Sequence, residues 1–135
     1  MYCLDACILI DFLRGKTPEL FRLFRSTDPR LIKIPAVVQG ELLVGVQKGN
    51  NPALGLRAVE ELLLPFEVLP FDSSCAYAYG SIRAQLESAG KKIGANDMMI
   101  AATALANHAT LVSNNVKDFK RIKGLSLETW EILEL

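Results

Sequence analysis

The chain contains no Gly-x-Gly pair, which removes the dinucleotide-binding fingerprint from consideration. Gly15-Lys16-Thr17 resembles the tail of a phosphate-binding loop, but Ile10 stands where that motif needs its first glycine. There is no Gly-x-Ser-x-Gly elbow for serine hydrolysis. Histidine occurs once, as His108, so histidine-rich zinc sites and histidine pairs are excluded. That residue follows an apolar helix and reads as a helix-end residue. Cys3 and Cys7 lack the Cys-x-x-Cys spacing of zinc or redox sites. Three cysteines cannot all pair within one chain, and they fit a reducing compartment. Neither sign of charge is in excess, with 15 basic and 15 acidic residues, so there is no basic nucleic-acid coat, although a local basic patch is allowed. A long hydrophobic run is also missing. The longest, Met98 to Ala106, is half of the roughly 18 residues a membrane span requires. Asp5 stands where an export signal would be basic, so the expected location is cytoplasmic.

What is present is a sequence that can build a core. Half of the 135 residues are apolar and 22% are charged, which excludes a disordered tail. The length fits one domain, residues 1–135. Tyr2 to Leu4 predicts a strand and Cys7 to Leu13 a helix that Arg14-Gly15 stops. Thr17 reads as an N-cap, with Pro18 opening a helix to about Arg25. Leu31 to Ile34 predicts a strand. Pro35 opens a helix that Asn50-Asn51-Pro52 ends, and another runs to about Leu64. Glu67 to Phe71 predicts a strand, and Asp72 or Ser73 caps a helix to about Ser88. After the basic loop Ala89 to Lys92, Asn96 to Asn107 is apolar nearly all round and belongs in the core. Thr110 to Val112 predicts a strand, Asn115 to Phe119 a turn, and Glu128 to Leu133 an edge strand. Strands separated by helices imply a mainly parallel sheet covered on both faces. In such sheets ligands bind beyond the carboxyl ends of the strands, next to Asp5 and Ser113-Asn114-Asn115.

Three acids stand in apolar surroundings. Asp5 ends the first strand, Glu41 lies between valines and leucines, and Asp97 precedes Met98-Met99-Ile100. Burying a lone carboxylate costs several kcal/mol unless a cation or donor compensates. Carboxylates brought together also raise one another's pKa. A divalent cation resolves both problems. Asp5 could equally cap the helix that follows it, and Asp97 could act on its helix dipole. Glu41, in mid-helix near Gly40 and Gly45, has no such alternative, and small neighbours leave room for a substrate groove.

These segments, in this order, resemble the PIN domain and, within it, the VapC-type toxin ribonucleases. The resemblance rests on Leu4-Asp5-Ala6-Cys7-Ile8-Leu9-Ile10, Gly40-Glu41-Leu42-Leu43-Val44-Gly45, Ile93-Gly94-Ala95-Asn96-Asp97-Met98-Met99-Ile100 and Leu111-Val112-Ser113-Asn114-Asn115, followed by Val116 to Ile122. It covers essentially the whole chain. Two departures stand out. Ala6 and Cys7 occupy positions where the family often has hydroxyl or amide residues, and Asn114-Asn115 stand where many members carry an acid. The nearest acid there is Asp118.

The resemblance implies a three-layer α/β/α sandwich and a nuclease centred on Asp5, Glu41 and Asp97, with Asp118 as a fourth acid. Oxygen-only ligands suit Mg²⁺ or Mn²⁺ rather than zinc. The implied substrate is RNA, with Arg14, Ser113 and Asn115 as substrate contacts. Basic residues border the motifs at Arg14, at Lys91 and Lys92, and at Lys117, Lys120, Arg121 and Lys123. The implied partners are a VapB-type antitoxin and a second copy of the chain. A mean hydropathy of +0.24 agrees with a buried interface, for which Leu54 to Phe66 is the candidate surface. The competing expectations are a PIN-like RNA-processing or DNA nuclease that is not a toxin, and an inactive PIN-like scaffold. A receiver-type signalling domain would need neighbouring acids after the first strand, and Ala6 follows Asp5.

Overall fold

The computed structural model describes residues 1–15 and 18–130. Five strands form one sheet in the order β3-β2-β1-β4-β5: β1 Tyr2–Leu4, β2 Ile32–Pro35, β3 Glu67–Leu69, β4 Thr110–Val112 and β5 Leu127–Glu128. All the pairings are parallel, with Tyr2 opposite Ile32 on one side and Thr110 on the other. A parallel central strand is covered on both faces and must be apolar throughout. Cys3 and Leu4 are accordingly fully buried.

Seven helices connect the strands among the described residues: α1 Ala6–Leu13, α2 Pro18–Ser26, α3 Ala36–Lys48, α4 Pro52–Leu63, α5 Ser73–Ser88, α6 Ala95–Ala106 and α7 Val116–Phe119. Their boundaries follow local chemistry. Asp5 caps α1, and Gly15, in the left-handed region at φ 63°, closes its end. Asn51 and Pro52 open α4, and the Asp72 side chain accepts from the Cys75 N–H at the start of α5. At the end of α6, His108 adopts φ 55°. Its N–H donates to Leu105 O and that of Ala109 to Ala104 O, so the backbone closes the helix.

The expected mainly parallel sheet is therefore parallel throughout, with helices α1–α6 filling the crossovers from β1 to β4. Two expectations change. The predicted turn at Asn115 to Phe119 is a four-residue helix beginning at Val116. The edge strand is only Leu127–Glu128: it begins one residue early and stops before Thr129 and Trp130, which were expected to continue it, while the predicted stretch over 131–133 lies outside the described residues, as does the Thr17 cap. Among the described residues no helix is long and apolar enough to cross a membrane.

The strand order places the functional end of the sheet. The chain steps outward from β1 through β2 to β3, then returns to the other side of β1 for β4 and β5. The direction reverses between β1 and β4, where an open parallel sheet splits to leave a crevice beyond its carboxyl ends. Asp5 follows β1 and Ser113 follows β4, so both stand at this point.

Candidate active site

Three elements carry the three acids to the crevice. Helix α3 packs against both α1 and α6, and the charges of Asp5, before α1, and of Asp97, in the first turn of α6, both act on Glu41 in α3. In α3 the buried stripe is Val38, Leu42 and Val46, at four-residue spacing. Glu41 lies beside that stripe and is half-buried. A Cβ built on Gly40 or Gly45 would meet nothing within 4 Å, so there is open space near the acid, as its small neighbours predict. Asp97 is half-buried in the first turn of α6, whose next residues, from Met98 to Ala104, are mostly core.

Asp5 is the most constrained of the three. Only 6% of its surface is exposed. One carboxylate oxygen, Oδ1, accepts from the Ala6 N–H at 2.8 Å. The other, Oδ2, accepts from the Ser113 hydroxyl at 2.7 Å and from the Cys7 thiol at 3.6 Å. The capping role that the sequence allowed is realised, and it leaves Asp5 at the crevice. The departure at Cys7 is partly made good, because its thiol supplies a weak donor to the carboxylate.

The acids sense one another. Glu41 is pushed above the ordinary carboxylate range by burial, then by the charges of Asp5 and Asp97, against a hydrogen bond from the Asn96 side chain. Asp97 is pushed up by burial, then by Asp5 and by Asp118. Burial also raises the Cys7 thiol, with Asp5 adding to it, while hydrogen bonds from the Asn114 backbone and the Ser113 side chain oppose the rise.

The remaining predicted residues fall into different places. Ser113, expected to touch substrate, is fully buried and cannot do so. It is a strut, donating to Asp5 and accepting the Asn115 N–H at 3.0 Å. Asn114 turns aside, donating to Asp11 Oδ2 at 3.4 Å and accepting from Thr129 at 3.3 Å. Asn115 donates to Asp118 Oδ2 at 3.2 Å, and Asp118 also pairs with Arg121 at 3.5 Å. Asp118 therefore sits at the rim, acting on Asp97 by charge. Arg14 caps the end of α1 and is exposed. It lines, with Glu41, a groove of about 370 Å³ between α1, α3 and α4 whose walls include Ile10, Leu42, Gly45 and Val59. Asn96 was not among the predicted site residues. Its position immediately before Asp97 was the available clue.

Among the described residues no three His, Cys, Asp or Glu side chains stand close enough to enclose an ion. The donors present, all carboxylate oxygens with mutual repulsion, fit a hard divalent ion that keeps part of its water shell. They do not make a closed zinc cage.

Residues 2–125 match the PIN domain. The chain belongs to the PIN domain family. Within it, this PIN domain is 41% identical over 133 residues to Ribonuclease VapC2 of Rickettsia felis, covering 97% of this chain and 98% of that protein. It is 31% identical to the tRNA(fMet)-specific endonuclease VapC of Shigella flexneri, covering 96% and 97%. Among solved structures, VapBC2 from Rickettsia felis bound to a DNA fragment from its promoter contains a chain that superposes with a TM-score of 0.91 at 34% identity. That match covers 96% of this chain and 98% of the other. The predicted three-layer α/β/α arrangement is thus shown by the sheet and by these relatives.

Proposed function

We propose that this PIN domain is an endoribonuclease, the toxin of a toxin–antitoxin pair, that cuts RNA phosphodiester bonds with the help of Mg²⁺ or Mn²⁺. The observation that carries the reading is the convergence of Asp5, Glu41 and Asp97 at the sheet's reversal point, close enough for Asp5 to raise both of the others. Relatives named ribonuclease and tRNA(fMet)-specific endonuclease support the substrate class.

Asp5, Glu41 and Asp97 are the residues that would hold a divalent ion. When bound, it supplies a nucleophile at neutral pH and offsets charge developing on the phosphorane. The protein's own contribution is positional. Ser113 and the Ala6 N–H fix both oxygens of Asp5, and Asn96 orients Glu41. Glu41 and Asp97 are both raised by burial and by neighbouring carboxylates, a repulsion that a bound cation would relieve. Arg14 contacts a substrate phosphate, and Asn115 with Asp118 borders the RNA on the far side.

The groove shared by Arg14 and Glu41 is the seat of the antitoxin in this reading. It is mostly apolar and adjoins the acids, and the similar solved structures are toxin–antitoxin complexes. Gly55, Ala58 and Val59 of α4 line it, which falls within the predicted surface Leu54 to Phe66. The chain also acts as a homodimer in the cytoplasm. A monomer by light scattering at micromolar concentration would refute the first of these.

The test is cleavage of total RNA and of tRNA(fMet) by purified antitoxin-free protein, with Mg²⁺, Mn²⁺ or EDTA, beside Asp97→Asn. Discrete fragments that require the metal and vanish in the variant are expected. Cleavage of DNA instead would favour the DNA-nuclease alternative, and no cleavage at all would favour the scaffold.

A further inference from the structure

The loop between α5 and α6 carries Lys91 and Lys92, both exposed and neither ion-paired among the described residues. The loop is not left to itself. Arg121, just beyond α7, donates from Nη1 to the Lys92 carbonyl at 3.4 Å. Gln85 of α5 donates to the Arg121 carbonyl at 3.3 Å. The same Nη1 lies 3.5 Å from Asp118 Oδ1. Arg121 therefore ties the basic loop to the acid whose charge acts on Asp97. Beside the two lysines is a hollow of about 220 Å³ floored by Ile93 and Met98, the residue after Asp97. Arg83 at its edge is already paired with Glu87 at 2.9 Å, so the uncommitted charge there is that of the lysines.

A chain with no net charge must concentrate positive charge locally to hold a polyanion. Lysine is a point charge that suits phosphate without a fixed approach angle. We propose that Lys91 and Lys92 hold RNA phosphates flanking the bond cut at the acidic site, with Arg121 as the positioning residue that keeps their loop in place. This rests on the ribonuclease reading above. It predicts that the substrate contacted by Arg14 extends across the α6 side of the crevice.

The test is fluorescence anisotropy of a labelled single-stranded RNA on the full chain carrying Asp97→Asn, across a series of KCl concentrations. For single strands the slope of log affinity against log salt is about 0.7 per phosphate contact, so K91A/K92A is expected to flatten it by about 1.4. Lys48→Ala, at the far end of α3, is expected to leave it unchanged. R121Q is expected to weaken binding when both lysines are present and to add nothing in K91A/K92A, a non-additivity that a merely structural loss would not produce. An unchanged slope in K91A/K92A, or additive effects of R121Q, overturns the proposal. If the unmodified chain neither cuts nor binds RNA, the functional reading falls and takes this proposal with it. If it cuts and binds while the slope stays fixed in the double variant, the proposal alone falls.

Discussion

Ser113 and Asp5, 108 residues apart in the chain, are joined by a 2.7 Å hydrogen bond in which the serine hydroxyl donates to Oδ2 of the acid. The bond crosses from the end of β4 to the end of β1 and is buried at both ends. It converts sheet pairing into the orientation of one carboxylate. Leaving a buried acceptor without its donor costs about 1–3 kcal/mol. Ser113→Ala is therefore expected to lower stability by that amount in urea denaturation and to slow RNA cleavage, while Ser113→Thr restores both. Equal stability of Ser113→Ala and wild type would show that the strut carries no weight.

Asp97→Asn and Glu41→Gln should each remove cleavage. Losing even an outer partner of a metal ligand lowers activity about 10–100-fold, and a direct ligand should exceed that. Single-turnover assays of a defined RNA at saturating Mg²⁺ provide the measurement. A variant within tenfold of wild type would remove its residue from the site.

The same two acids set a pH dependence of stability. Their folded-state pKa values are raised above the unfolded ones. The folded state is therefore favoured fully below the ordinary carboxylate range and loses that advantage as pH rises through the raised values. In metal-free buffer Asp97→Asn should thus melt higher than wild type at neutral pH, and the difference should vanish by about pH 3, below the usual carboxylate values. Mg²⁺ should stabilise wild type more than the variant. Differential scanning calorimetry over pH with and without Mg²⁺ tests this. A variant that melts lower at neutral pH would contradict it.

The groove beside Glu41 gives a prediction about partner binding. Gly45 faces open space in an exposed position, so a larger side chain can be placed there without displacing the core. Gly45→Ala should raise stability by about 0.5–1 kcal/mol, the usual penalty of a helical glycine. Gly45→Leu should keep the fold but weaken antitoxin binding by tenfold or more in titration calorimetry. Undiminished affinity would move the partner to another face.

Much of this arrangement could be read from the chain. The strands were short apolar runs bounded by helix starts, and Asp5, Glu41 and Asp97 stood out because each interrupts apolar sequence. What could not be read depends on distant partners. Ser113 looks like an exposed polar residue at a strand end, and only β1 alongside it shows why it is buried. Asn114 could have faced the acids, but Asp11 on α1 and Thr129 past β5 claim it. Four residues are too few for the periodicity that would have announced α7. Arg121 sits within a basic run that resembles ordinary solvated surface until its bond to Lys92, 29 residues away, is seen.

The order of the strands also governs when a working centre can exist. The middle strand, β1, is made first, and its neighbour β4 is among the last parts of the sheet to be made. A polypeptide leaving the ribosome exposes Asp5, Glu41 and Asp97 in turn, but it has no strand to close the sheet on that side of β1 until Thr110 to Val112 follow. Until then Asp5 has no Ser113 to hold it, and α6 has no strand to lead into. The carboxylate that opens the first helix is thus set by a strand far along the chain, so a nascent polypeptide cannot assemble this centre before β4 has been made.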